Sequence, residues 1–191
     1  MVALCWKKIP DSGFIWLFSS CFLFHYLNRS IVFPLRLRTL GKWMPWIIAL
    51  SAVCFNLVNG FFLGYFFARF ADYPPDWFSD ARFLSGMFLF WLGLGINWQS
   101  DNILLHLRKP GTTAYAIPEG GLFRKVSCPN HFGEILEWIG FAMMTLCLPV
   151  LAFAVWTIAN LAPRALAHHR WYQATFPEYP KERKALIPFV L

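Results

Sequence analysis

Four stretches of the chain, near 13–33, 45–68, 83–105 and 134–162, are apolar on all sides. None shows the strict alternation of a half-buried strand, so a membrane β-barrel fits poorly. Each is long enough for a helix that crosses a bilayer. Turn and charge signals fill the gaps: Gly41, Pro45, the run Tyr73-Pro74-Pro75-Asp76, Pro110-Gly111, and Pro118-Glu119-Gly120-Gly121. There is no internal repeat and no low-complexity tract. The pattern predicts one all-α domain over residues 1–191, a polytopic membrane helical bundle.

Charge in the linkers refines the count. The 28–44 linker carries Arg29, Arg36, Arg38 and Lys42 and no acid, which marks the cytoplasmic side. The 69–82 linker sets Arg69 and Arg82 against Asp72, Asp76 and Asp80, and reads as the opposite side. Both 106–133 and the tail 163–191 are basic again. One crossing between them cannot place both inside. The stretch from Asn130 to Tyr172 holds two helices if it breaks at Pro149, which makes about five spans.

Composition agrees with lipid as the solvent. The chain has 191 residues, of which 58% are hydrophobic, 19% aromatic and 14% charged, and ten are Trp. The formal charge of +7 lies between apolar runs and not on one soluble face, so topology and phosphate binding explain it better than nucleic acid. Cys5, Cys21, Cys54, Cys128 and Cys147 have no CxxC spacing, and neither a disulfide framework nor a metal site is expected. Lys7 and Lys8 precede an apolar run, but no small-residue cleavage site follows, so a signal peptide is not expected.

Two polar sets interrupt this apolar chain. Asn97, Asp101 and Arg108 share one helical face, and Arg164, His168 and Tyr172 share another. Ionisable groups at membrane depth usually face a cavity, and these suit a large, polar, anionic ligand; helix-end snorkelling and interhelical hydrogen bonds are the plainer reading. Asn130, Glu134, Glu137 and Trp138 open the last apolar run, where a carboxylate could accept hydrogen bonds from an amide such as nicotinamide, or simply complement the helix dipole. Gly93-Leu94-Gly95-Ile96-Asn97 is no dinucleotide fingerprint, because Trp98 stands where the third glycine belongs; the small residues point to close helix packing. His168 and His169 diverge by about 100° on a helix and do not make a metal pair. Tyr26 could donate a phenolic hydrogen bond to a carbonyl, or sit in an interfacial aromatic belt.

Longer motifs then accumulate in order. They are His25-Tyr26 with Arg29, Tyr73-Pro74, Asp80-Ala81-Arg82-Phe83, the Gly93–Asn97 run, Ser100-Asp101, and Leu107-Arg108-Lys109-Pro110-Gly111. Further on come Tyr115, Ile117-Pro118, Gly120-Gly121-Leu122-Phe123, Gly133-Glu134, Glu137-Trp138-Ile139-Gly140, His168-His169-Arg170, Tyr172 and Tyr179-Pro180-Lys181. The ending Arg183-Lys184-Ala185-Leu186-Ile187-Pro188-Phe189 completes them. With these the chain resembles the steroid 5α-reductases over nearly its full length. The resemblance implies a seven-helix integral membrane enzyme that reduces the Δ4 double bond of a 3-oxosteroid with NADPH, its cofactor site facing the cytoplasm. It assigns the cofactor to Arg29, Asn97, Asp101, Arg108, Tyr115, Asn130, Glu134, Arg164, His168 and Tyr172. It assigns the steroid ketone to Tyr26 and the steroid pocket to Trp138. Family members begin with about two more helices, the second bearing a glutamate that pairs with the tyrosine on the ketone. The expectation is therefore a fragment, or a homologue lacking part of that clamp. Reduction of another membrane lipid enone, such as a polyprenol or enoyl thioester, and lipid binding on a degenerate scaffold are the rival readings.

Overall fold

The computed structural model describes residues 13–37, 45–107 and 115–191. Arg108 and the Lys109-Pro110-Gly111 motif lie outside them. Five long helices carry the fold: α1 (Gly13–Leu27), α3 (Trp46–Arg69), α4 (Ala81–Leu107), α5 (Pro129–Thr145) and α6 (Leu148–Thr175). α1 runs through a π-helical turn, Asn28–Val32, into the short α2, Phe33–Arg36. Among the described residues the only β pairing is an isolated parallel bridge between Val126 and Lys184.

The helix ends follow from local chemistry. Asp80 accepts the Arg82 backbone N–H at 2.8 Å at the start of α4 and pairs with the Arg82 guanidinium, whose hydrogen bonds hold the Asp80 carboxyl at about 2. α5 stops at Leu146, which is left-handed with φ 43°. The hairpin expected within 130–172 is present, and its break falls at Leu146–Cys147. Pro149 lies in the first turn of α6, where its missing N–H costs nothing. The freed carbonyls at the end of α5 are taken by the 70–80 loop: Tyr73 Oη donates to Thr145 O at 2.6 Å and Trp77 Nε1 to Met144 O at 3.0 Å.

α4 and α5 are antiparallel and pack backbone against backbone. A Cβ at Gly93 would meet Glu137 N at 2.4 Å and Gly133 O at 2.5 Å. One at Gly133 would meet Asn97 N at 2.6 Å, and one at Gly140 would meet Phe90 N at 2.5 Å. Glycines seven residues apart on each helix thus form the seam. Gly95, by contrast, meets nothing within 4 Å. The seam sets the register that carries Asn97 and Asp101 to the first turn of α5.

Around it packs an aromatic core, with Phe18, Phe90, Trp138, Phe141 and Met144 fully buried. Phe18 of α1 meets Phe67 of α3 at 5.8 Å and Phe141 of α5 at 6.4 Å. The outer faces of α3 and α6 are apolar and exposed, including Trp46, Phe61, Leu151 and Trp156. These two helices are long and apolar enough to cross a membrane. At one end of the bundle the C-termini of α1, α4 and α6 meet the N-terminus of α5. The candidate site is there.

Candidate functional site

Three helices each send polar side chains, spaced by helical turns, into a shared seam. α1 and its π-helical extension supply His25 and Arg29, α4 supplies Asn97 and Asp101, and α5 supplies Asn130, Glu134 and Glu137. Arg29 bridges the two acids of neighbouring helices: Nη1 lies 3.1 Å from Asp101 Oδ2 and Nη2 lies 3.3 Å from Glu134 Oε2. The π turn from which Arg29 projects is a rare form, frequent at functional sites. Asn97 Nδ2 donates to Asn130 O at 3.0 Å, and the Asn130 amide lies beside Asp101. Two carboxylates share one guanidinium, so the cluster keeps acceptor capacity beyond its own pairing.

Deeper along α5, Glu137 is fully buried and its Oε1 lies 2.8 Å from His25 Nδ1. Its Oε2, like Trp138 Nε1 and His131 Nδ1, has no hydrogen-bond partner among the described residues. Sequence reasoning singled out Glu137 but did not pair it with His25. The signal was present as His25/Arg29 four residues apart and Glu134/Glu137 three apart, but spacing within a helix does not say which helix lies opposite.

Asn130 links the cluster to a cavity of about 520 Å³ between the ends of α4, α5 and α6. Tyr115, Asn130, His168 and Tyr172 line it, together with Ser127 and His131, which were not expected there. The aromatic wall is ordered by Tyr115 against Trp171, with ring centroids 5.0 Å apart. Cys128, also in the wall, has its thiol pushed up to about 12 by burial, so it stays neutral and is no ready nucleophile or metal ligand. Arg164 is exposed one turn before His168 and is not part of the cavity wall.

Tyr26 stands on the other side of the seam, half-buried, with its ring centroid 6.2 Å from Trp138 and 4.7 Å from Phe22. Its hydroxyl faces the Asn59 amide of α3. Asn59 in turn lines an apolar groove of about 400 Å³ between α3 and α6, walled by Phe55, Phe62, Phe153 and Trp156. Phe153 packs edge-on against Trp138 at 4.5 Å, so the indole separates groove from seam. Among the described residues no group of His, Cys, Asp and Glu could hold a metal ion.

Tyr26 and Trp138 therefore stand between the buried polar seam and the apolar groove. The sequence profile of the 3-oxo-5-alpha-steroid 4-dehydrogenases matches residues 42–191. The chain belongs to that family. It is 50% identical over 169 residues to 3-oxo-5-alpha-steroid 4-dehydrogenase 2 of Homo sapiens, an overlap of 88% of this chain and 66% of that protein. The type 2 protein of Rattus norvegicus is 45% identical over 181 residues, covering 95% and 69%, and the type 1 protein of Bos taurus 46% over 170 residues, covering 89% and 66%. The chain thus spans about two thirds of the length of these relatives. Every seam residue from Asn97 to Glu137 falls inside the matched segment, while His25, Tyr26 and Arg29 precede it.

Proposed function

We propose that the chain is an integral membrane, multi-pass enzyme that reduces the Δ4 double bond of a 3-oxo-Δ4-steroid with NADPH, delivering hydride to C5 and a proton to C4. The observation that carries this reading is the position of Tyr26, which stands with Trp138 between the buried polar seam of α1, α4 and α5 and an apolar groove, in a member of this family. The relatives' names fix the steroid class for those proteins, and the groove offers the apolar surface a steroid would need.

The residues present fit a dinucleotide. Buried acceptor oxygens without full pairing, Glu137 Oε2 and Glu134 Oε2, suit the two N–H groups of a carboxamide. Asn97, Asp101, Asn130 and Glu134 would hold that end, with Arg29 fixing the two acids. Tyr115, His168 and Tyr172 would hold the rest within the cavity, and the guanidinium groups of Arg108 and Arg164 would serve the phosphates. When bound, NADPH supplies the hydride.

The chain's own part is electrostatic. The Tyr26 hydroxyl donates to the 3-keto oxygen, which withdraws charge from the enone and stabilises the enolate that forms as C5 is reduced. Asn59 orients that hydroxyl. Trp138 and Phe153 keep water from the reacting carbons. An apolar groove discriminates weakly between lipids of similar width, so the test must be a panel. The purified chain should consume NADPH with testosterone or progesterone and yield the 5α-3-oxosteroid, with NADH much poorer. Consumption only with polyprenal or enoyl-thioester substrates would replace steroid by another lipid enone, and binding of steroid without NADPH oxidation would leave a lipid-binding protein.

The same reading places the cavity end in the cytoplasm. Single cysteines at Glu119 and Glu182, both exposed, should be labelled from the cytoplasmic side, and one at Asp76 from the other. Labelling of Glu119 and Asp76 from one side would refute the topology.

A further inference from the structure

Ser127 belongs to no motif that the function absorbs, yet it lies at the join of three chain segments behind the cavity. Its side chain is buried, and its Oγ lies 2.6 Å from His169 Nδ1, 2.6 Å from Tyr179 Oη and 3.2 Å from Lys184 O. A hydroxyl has one proton and two lone pairs. Lys184 O can only accept, so Ser127 donates there. The other two contacts are satisfied when Tyr179 donates its O–H and His169 its Nδ1–H. One arrangement of protons thus satisfies the whole node.

Each arm of the node leads to the cavity. Ser127 itself lines it, three residues before Asn130. Tyr179 stacks on Tyr172, with centroids 5.2 Å apart and planes at 12°, and Tyr172 lines the cavity. His169 precedes His168, a third cavity residue. Backbone bonds tie the same segments: Ser127 N donates to Lys184 O at 2.8 Å, Cys128 N to Ala185 O at 3.1 Å, and Lys184 N to Lys125 O at 2.9 Å.

We infer that Ser127 is a positioning residue for cofactor binding, its hydroxyl locking the 115–128 segment, the end of α6 and the C-terminal segment into one wall. The inference rests on reading the cavity as the NADPH site. A positioning role separates affinity from chemistry. Ser127→Ala leaves a buried phenol and imidazole N–H without their acceptor, so the NADPH dissociation constant should rise roughly tenfold. At saturating NADPH, kcat should change less than about twofold, because Tyr26 and Trp138 lie on the far side of the seam.

The test is a tryptophan-fluorescence titration of the full chain with NADPH, alongside the KM and kcat of each variant. In the Ser127→Ala background, Tyr179→Phe should add less than about twofold, since the hydroxyl it removes is already orphaned. His169→Asn keeps a donor near the Nδ1 position and should stay close to the unmodified affinity, whereas His169→Leu should match Ser127→Ala. Additive effects of Ser127→Ala and Tyr179→Phe, or a lowered thermal midpoint with unchanged NADPH affinity, would overturn the inference. Failure of the unmodified chain to bind NADPH would overturn the functional reading itself, and this inference with it.

Discussion

Gly93→Ala is expected to abolish the folded bundle, or to cost about 3 kcal/mol or more where it survives. The new methyl carbon would sit 2.4 Å from Glu137 N and 2.5 Å from Gly133 O, both backbone atoms that cannot rotate away. Relief requires α4 and α5 to separate along their whole antiparallel seam, because Gly86, Gly133 and Gly140 are held as closely. Separation would open the contacts that the site depends on: Asn97 to Asn130 O, and Arg29 to Asp101 and Glu134. Gly95→Ala is the matched control. It lies two residues away on the same helix, meets nothing within 4 Å, and replaces a poor helix former by the best one. The yield of monodisperse protein and its thermal midpoint in detergent should fall sharply for Gly93→Ala and hold or rise for Gly95→Ala. Similar values for the two variants would show that the seam can relax and that its register is not what positions the site.

That comparison also marks where sequence reading stops. The apolar stretches at 45–68 and 83–105 and the hairpin within 130–172 are legible because bilayer length and charge asymmetry constrain them directly. Helical spacing groups Asn97, Asp101 and Arg108 on one face and Arg164, His168 and Tyr172 on another; the structure lines the cavity with His168 and Tyr172, sets Asn97 and Asp101 in the seam and leaves Arg164 off the wall, while Arg108 lies outside the described residues. What spacing cannot supply is the register between helices. Both glycines of Gly93-Leu94-Gly95 looked alike in sequence, and only Gly93 faces α5. For the same reason the pairing of His25 with Glu137 and the bridging by Arg29 were out of reach, as each depends on an α1 position fixed by aromatic packing around Phe18. The Ser127 node was hidden more deeply. It joins Ser127 to His169 of α6, 42 positions on, and to Tyr179 of the irregular C-terminal segment, 52 positions on, and neither periodicity nor hydropathy records such contacts.

Tyr26→Phe is expected to lower turnover by about 10²–10³ while leaving NADPH affinity nearly unchanged. The substitution keeps the ring that packs on Phe22 and Trp138 and removes only the hydroxyl, so the loss reports the hydrogen bond and not the packing. Its size follows from when the bond matters. The ketone oxygen gains charge as hydride reaches C5, so a donor placed there stabilises the enolate more than the ground-state enone, and kcat falls more than steroid affinity. NADPH affinity should hold because the cavity residues Asn130, His168 and Tyr172 lie on other helices, across the Arg29 bridge. Asn59 sharpens the test, since it orients the same hydroxyl from α3. Asn59→Leu should lower turnover by a smaller factor in the presence of Tyr26 and have almost no effect in the Tyr26→Phe background, where no hydroxyl remains to orient. Steady-state kinetics of the four proteins with a 3-oxo-Δ4-steroid read this directly. Full turnover by Tyr26→Phe would make Tyr26 a packing residue between seam and groove, and would move the search for the group on the ketone to Trp138 Nε1 and Glu137 Oε2, which have no partner among the described residues.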